Sequence, residues 1–120
     1  MNGKIPHIVQ YQGSKRVLAP QILQYMPERF NRLIEPFSGM AAISIATAYE
    51  NRTNSFLVND LNKPLVDMLQ EAIEKPEQLI MNYSKVWEEQ FSYGENHIQH
   101  FYDVRERFNN GEKTSANMLY

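Results

Sequence analysis

The segment IEPFSGMAAISIA, residues Ile34–Ala46, predicts a short buried strand that ends in a glycine turn and continues as a helix. The apolar run before Gly39 has the length of a buried strand, and the small and apolar residues over 42–50 follow helical spacing. Ligands of open α/β sheets bind beyond the carboxyl ends of the strands. The turn at Gly39 is therefore the first candidate for a functional site.

A second strand is predicted at SFLVND, residues 55–60, where aromatic and β-branched side chains give way to two polar ones. Proline stands where helices begin, at Pro20, Pro64 and Pro76, and a last N-cap is predicted at residues 114–115. This order of elements predicts an α/β fold with a parallel sheet and right-handed crossovers. Two strands do not make a self-sufficient sheet, so we expect the parallel sheet to be incomplete in this chain.

The composition is that of a globular domain, with 120 residues of which 42% are hydrophobic and 22% charged. Absence of cysteine excludes disulfides and thiolate metal sites. The sequence contains no signal peptide and no apolar run long enough to cross a membrane, so we expect a soluble, cytoplasmic protein with no membrane partner. The net charge is −2, which argues against a chain whose main task is to coat phosphate backbone.

Charge is nevertheless uneven along the chain. Residues 1–32 carry one acidic residue, Glu28, against five basic ones: Lys4, Lys15, Arg16, Arg29 and Arg32. This amino-terminal part can contribute to a basic groove, although scattered basic residues are more often simply solvated. The charge pattern therefore leaves both readings open.

Gly39 and Asp60 together fit an adenosine-bearing ligand. Glycine permits close approach of a ligand to the backbone, and an acid about 20 residues further on can accept hydrogen bonds from ribose hydroxyls. The turn has no G-x-G-x-x-G pattern, which disfavours a dinucleotide. Ordinary turn chemistry explains the same two residues equally well, with Asp60 capping the helix that begins near Pro64.

Three motifs at these intervals carry a more specific signal: YQGSK at residues 11–15, EPFSGMA at 35–41 and VNDLN at 58–62. In this order they resemble the amino-terminal half of Dam-like DNA adenine-N6 methyltransferases. The resemblance implies a partial Rossmann-like methyltransferase fold with additional C-terminal helices. It also implies that residues 1–75 form the S-adenosylmethionine-binding part and that residues 76–120 form a helical segment leading toward target recognition.

The resemblance places six residues in the cofactor site: Tyr11, Lys15, Glu35, Phe37, Gly39 and Asp60. Tyr11 stands where the family usually has tryptophan, and Lys15 matches a lysine that would pair with the methionyl carboxylate. Phe37 would form an apolar wall and Asp60 a ribose acceptor. Ala41 departs from the family by replacing the second glycine of the turn, and we expect its methyl group to narrow the approach of the cofactor.

No catalytic residue is predicted. The family's catalytic motif, D/N-P-P-Y/F, is missing, because the sequence contains no Pro-Pro pair. We therefore expect this chain to be inactive alone and to act on double-stranded DNA with a complementary half that carries that motif. We favour a separate subunit over a continuation of the same chain. The alternative is a non-catalytic S-adenosylmethionine-binding regulatory or assembly module.

Two further patterns have ordinary interpretations. His97 and His100 are three residues apart on a predicted helix, but no third ligand accompanies them, so we interpret them as a surface pair and predict no metal site. Aromatic residues also recur at helical spacing: Trp87, Phe91, Phe101, Tyr102 and Phe108. This stripe predicts core, or an interface with the missing half, rather than a platform for stacking bases.

Overall fold

The computed structural model describes residues 5–120, so Lys4 of the basic amino-terminal part lies outside the described residues. The elements in chain order are α1 (Ala19–Leu23), β1 (Leu33–Glu35), α2 (Ala42–Tyr49), β2 (Phe56–Val58), α3 (Lys63–Glu74), α4 (Pro76–Glu89), a 3-10 turn (Gln90–Tyr93), α5 (His97–Asn109) and α6 (Ser115–Leu119). This order confirms the predicted alternation of helices and strands. Contacts divide the chain into two compact units, residues 1–62 and residues 63–120, termed the first unit and the second unit.

The first unit contains a sheet of two parallel strands. Residues 33–35 of β1 pair in register with residues 56–58 of β2, and α2 connects the strands along the chain. The paired residues Ile34 and Leu57 are each more than half exposed, so the sheet presents apolar side chains to solvent. The parallel pairing confirms the prediction. A two-strand sheet with an exposed apolar face is compatible with a partial fold of the expected class.

Helix α1 packs on α2 in the core of the first unit. Ala19 and Leu23 of α1 are fully buried and contact Ala46 of α2, together with Ile5 from the preceding segment. Pro20 occupies the first turn of α1, where its missing N–H has no intrahelical partner to lose. These buried side chains form the core between the two short helices.

Arg52, which is 29 positions away in sequence, binds the carboxyl end of α1. Its Nη1 donates to the backbone carbonyls of Leu23, Met26 and Pro27, at 2.6, 3.2 and 3.3 Å. Its Nε pairs with the carboxylate of Glu50 at 2.5 Å, and the Arg52 side chain is 16% exposed. The Leu23 carbonyl also accepts the Met26 N–H at 3.2 Å, so Arg52 adds a charged donor at the end of α1 and ties down the turn that follows it.

The second unit consists of helices. Helix α3 packs on α4 and α6, and α6 also packs on α4 and α5. The apolar face of α3 is buried through Leu65, Met68 and Leu69, at the predicted helical spacing. Thr114 caps α6, because its Oγ1 accepts a hydrogen bond from the Asn117 N–H at 3.1 Å, which confirms the predicted N-cap.

The interpretation of His97 and His100 as a surface pair is wrong for His100. His97 is exposed, whereas His100 is fully buried and its Nε2 donates to the carbonyl of Val86 at 2.8 Å. The rings of Tyr93 and Tyr120 lie against the imidazole. Residues three apart on a helix are rotated by about 60° from one another, so one can face the core while the other faces solvent.

Over residues 5–120, no three histidine or acidic side chains lie close enough together to hold a metal ion. Within the same range, no helix is both long enough and apolar enough to cross a membrane.

The prediction that the aromatic stripe packs in the core is wrong for most of its residues. Trp87, Phe91, Phe101 and Tyr102 are exposed, while Val86, His100 and Val104 fill the core of the second unit. Helical periodicity identifies residues that share a face and does not say which of two apolar faces is covered. The alternative, an interface with a missing half, stays a prediction.

The domain boundary after residue 75 also stays a prediction, because it concerns function. In the structure α3, residues 63–74, packs with the later helices.

Candidate functional site

The turn between β1 and α2 has a backbone that glycine favours. Gly39 has φ +50° and Ala41 has φ +52°, both in the left-handed region. The ring of Tyr11 lies over Gly39, since a Cβ built on Gly39 would be 3.6 Å from Tyr11 Cε1. Tyr11 is half-buried there. Two predicted site residues that are 28 positions apart in sequence are therefore neighbours.

Asp60 connects the end of β2 to this turn. Its Oδ2 accepts a hydrogen bond from the Gly39 N–H and its Oδ1 accepts one from the Asn62 N–H, each at 2.9 Å. These backbone donors, the Asn62 N–H first and the Gly39 N–H second, lower the pKa of the Asp60 carboxyl below its ordinary value. Asp60 is therefore ionised at neutral pH, and each oxygen keeps a lone pair for a further donor.

Asn59 is a site residue whose role sequence analysis missed. Its N–H donates to the Glu35 carbonyl, its carbonyl accepts from the Ser38 N–H, and its Nδ2 donates to the Pro36 carbonyl, all at 3.0 Å. These three bonds extend the pairing of the strands into the turn that precedes Gly39. The only signal in the sequence was the position of Asn59 at the polar end of a predicted strand.

Glu35 closes the first turn of α2. Its Oε2 accepts hydrogen bonds from the Ser44 N–H at 3.0 Å and from the Ser44 Oγ at 2.5 Å. Ser44 is buried, and the N-cap residue Ala41 has no side chain that can accept a bond. The strand-end carboxylate thus takes the place of the usual N-cap side chain.

Phe37 and Lys15 stand at the surface. The Phe37 side chain is 92% exposed. The Lys15 ammonium donates to the Gly13 carbonyl at 2.9 Å, and over residues 5–120 no hydrogen bond joins it to the Gly39 turn. The structure therefore brings Tyr11, Glu35, Gly39 and Asp60 to one turn and leaves Phe37 and Lys15 exposed.

Replacement of Ala41 by glycine is expected to raise the free energy of unfolding by about 0.5 to 1 kcal/mol. A left-handed conformation costs a non-glycine residue about 1–2 kcal/mol, which exceeds the roughly 0.4–1 kcal/mol of extra chain entropy that glycine gives the unfolded state. Ala41 is buried in that conformation. Urea denaturation of the two proteins measures the difference.

Ala48 provides the matched control for this change. It is exposed within α2, where the same alanine-to-glycine substitution is expected to lower stability by about 0.5–1 kcal/mol. Opposite signs at the two positions would identify the backbone conformation as the cause. A loss of stability in both variants would contradict the strain assigned to Ala41.

Comparison with protein families gives one match over nearly the whole chain. Residues 11–119 match the model of the D12 class N6 adenine-specific DNA methyltransferases. The matched range includes Tyr11, the Gly39 turn and Asp60. The geometry described above thus lies within the matched part of the chain.

Relatives of known name agree with this match. Over 71 residues the chain is 35% identical to the type II methyltransferase M1.LlaDCHI of Lactococcus lactis subsp. cremoris, which covers 59% of this chain and 24% of that protein. Over 102 residues it is 28% identical to the retron Ec67 DNA adenine methylase of Escherichia coli, which covers 85% of this chain and 32% of that protein. The chain thus spans about a quarter to a third of these relatives. No solved structure gives a significant match.

Proposed function

The chain belongs to the D12 class of N6 adenine-specific DNA methyltransferases, and from this premise we propose that it forms the S-adenosylmethionine-binding part of a DNA adenine-N6 methyltransferase. The observation that carries the proposal is the meeting of Tyr11, Gly39 and Asp60 at the carboxyl ends of two parallel strands. That edge is where α/β sheets bind nucleosides. In this proposal β1, α2 and β2 are the beginning of a Rossmann-like sheet that further strands complete.

The side chains at the turn fit the cofactor chemically. The ionised Asp60 carboxylate is suited to accept the ribose hydroxyls, and the exposed Phe37 ring offers an apolar surface for the nucleoside. Lys15 is exposed and suited to pair with the methionyl carboxylate, by a charge-assisted bond of roughly 1.5 to 3 kcal/mol. When bound, S-adenosylmethionine supplies the methyl group. Glu35 contributes by holding α2 through Ser44.

Chemistry at the adenine is assigned to residues outside this chain. A target base must be turned out of the duplex, stacked and hydrogen-bonded at its amino group. The sequence has no Pro-Pro pair and hence no D-P-P-Y motif. The named relatives are three to four times as long as the segments matched, which leaves room for that motif elsewhere. We propose that a complementary half carries it, that double-stranded DNA is the substrate, and that the protein is cytoplasmic.

The proposal is tested by titration calorimetry with S-adenosylmethionine, performed on the chain together with its complementary half. Replacement of Asp60 by alanine is expected to weaken binding at least about tenfold, because it removes a charged acceptor for ribose and the acceptor of the Gly39 N–H. Asp67→Ala is the control, since Asp67 is an exposed acid on α3 paired with Lys63. Unchanged affinity in Asp60→Ala, or no binding by the unmutated assembly, would overturn the assignment.

The lowered pKa of Asp60 determines how its contribution depends on pH. A carboxylate whose pKa is lowered in the folded protein stabilises the folded state fully above its ordinary pKa of 3.8. That stabilisation is lost as the pH falls through the lowered value. Asp60 therefore stays ionised across the neutral range, and its contribution to affinity should not change between about pH 5 and 8.

A methyl-transfer assay distinguishes the proposed part of an enzyme from the alternative, a non-catalytic module. With the complementary half present, incorporation of labelled methyl groups into duplex DNA should require both polypeptide parts. Cofactor binding without any gain of methylation would instead support a regulatory or assembly module.

A further inference from the structure

A continuous patch of exposed aromatic rings lies on the second unit. The Phe91 ring meets the rings of Trp87 and His97 edge to face, with centroids 5.0 and 6.2 Å apart. Phe101 lies one turn after His97 on α5, and its ring is 5.8 Å from that of Tyr102. The tryptophan, phenylalanine and tyrosine side chains of this aromatic patch are 43–59% exposed. Contiguous exposed rings of this kind mark surfaces that bind another macromolecule.

A pocket continues the aromatic patch at Phe101. It has a volume of about 150 Å³, and its lining includes Val104 and Phe108 of α5 and Met118 of α6. A cavity of about this volume lined by apolar side chains holds a benzene-sized group. The pocket therefore has room for one apolar side chain of a docked protein, and anchors of that kind contribute much of the affinity of an interface.

The charge of the second unit indicates which macromolecule binds there. Residues 63–120 carry ten acidic residues against six basic ones, a net charge of −4. Residues 87–102, which contain the aromatic patch, carry three glutamates and neither lysine nor arginine. Duplex DNA would be repelled, because proteins bind it through basic residues that neutralise phosphates. A second copy of the chain would bring the same acids to the interface, whereas a protein surface with an apolar centre and a basic rim is complementary.

We propose that the aromatic patch and its pocket form the docking surface for the complementary half of the methyltransferase, which presents an apolar side chain to the pocket and basic residues around it. The inference rests on the proposed function and deepens it, because it assigns the contact with that half to α4, α5 and the turn between them. The length of the relatives supports this occupant. The matched segments make up 24% and 32% of those proteins, so most of each relative lies outside the match.

Hydroxyl-radical footprinting, read by mass spectrometry, tests the surface without any substitution. Oxidation of Trp87, Phe91, Phe101 and Tyr102 should fall at least about fivefold when the chain assembles with its complementary half. Addition of duplex DNA to the chain, or a higher concentration of the chain alone, should change it less than about twofold. Rings that stay reactive in the assembly, or that are protected by DNA or by a second copy, would overturn the inference.

Replacement of Phe91 by glutamate tests the aromatic patch directly. Phe91→Glu should weaken association with the complementary half at least about tenfold in titration calorimetry. A higher concentration of that half should restore the methylation lost in the variant, as expected for a docking defect. Ile73→Glu is the control, because Ile73 is 77% exposed on α3, and the dissociation constant should change less than about threefold. Equal weakening in both variants would contradict the assignment of the patch.

Reversal of one charge separates the candidate occupants by sign. Glu88 is exposed beside Trp87, and Glu88→Lys should weaken association with the complementary half at least about threefold, because the lysine meets a basic rim. The same substitution would strengthen binding of DNA or of a second copy. Glu77→Lys makes the matched change about three turns away on α4 and should alter association less than about twofold.

Unchanged or stronger association in Glu88→Lys would overturn the inference. Failure of the proposed function has a different result, in which the assembly protects the aromatic patch but does not bind S-adenosylmethionine. An assembly that binds the cofactor while the patch stays reactive would overturn the docking surface alone.

Discussion

Replacing Arg52 by alanine is expected to lower the free energy of unfolding of the first unit by about 2 to 4 kcal/mol. The guanidinium donates to the Leu23 carbonyl at the end of α1 and to the carbonyls of Met26 and Pro27 just after it. It also pairs with Glu50, and the Arg52 side chain is 16% exposed. Hydrogen bonds to a charged group contribute roughly 1.5–3 kcal/mol each, and the truncated protein would also leave Glu50 without its partner. Because α1 packs on α2, we expect the Gly39 turn that precedes α2 to lose its support as well.

Hydrogen exchange of the α1 and α2 amides, followed by mass spectrometry, measures this loss in the first unit alone. Arg52→Lys keeps the charge but lacks the planar set of donors, so it should recover only part of the protection. Arg32→Ala is the matched control, because Arg32 is exposed and, within residues 5–120, its side chain makes one hydrogen bond, to Ser55 Oγ at 3.1 Å. Exchange in Arg52→Ala that is no faster than in Arg32→Ala would contradict the bracing role of Arg52.

Local patterns in the sequence were sufficient to predict the elements of the fold. The strand at residues 33–35 and the helix at 42–49 follow from a short apolar run and from helical spacing, both of which depend on near neighbours in the chain. The Thr114 cap likewise depends on a residue three positions away. Motif order then indicated the family, which the match over residues 11–119 bears out.

Partners that are distant in sequence could not be predicted from such patterns. Arg52 reaches the end of α1 across 29 positions, and nothing in its neighbourhood distinguishes it from a solvated arginine. Asn59 bonds to Pro36 across 23 positions for the same reason. His100 was assigned to the surface, because nothing in the sequence indicates that its imidazole contacts the Val86 carbonyl of α4. Three-dimensional contact, and not residue type, decides these roles.

The same distinction between local patterns and distant contacts applies to the candidate site. Residue types at the strand ends were enough to single out Gly39 and Asp60 as candidate site residues, and the family resemblance added Glu35. Their connections were not predictable: Asp60 holds the Gly39 N–H, and Glu35 holds Ser44. Sequence analysis marked Ala41 as a departure from the family pattern but could not show that its backbone has φ +52°. A glycine at this position would adopt that conformation at lower cost.

His100→Ala is expected to destabilise the second unit by about 3 to 4 kcal/mol, as removal of a fully buried aromatic ring costs roughly 3–5 kcal/mol. The imidazole is 0% exposed and lies between Tyr93 and Tyr120. Its Nε2 donates at 2.8 Å to the Val86 carbonyl in the last turn of α4. Truncation would therefore create a cavity and also remove that hydrogen bond.

Fluorescence of Trp87 during urea denaturation reports this change directly, since it is the single tryptophan of the chain and lies on α4. His97→Ala serves as the control. His97 is exposed and lies on α5, as His100 does, so its replacement should change the free energy of unfolding by less than about 0.5 kcal/mol. His100→Phe keeps most of the volume without the N–H donor and should fall between the two. If His100→Ala were no less stable than His97→Ala, the buried imidazole would not hold α4 against α5, and the second unit would need another explanation for its packing.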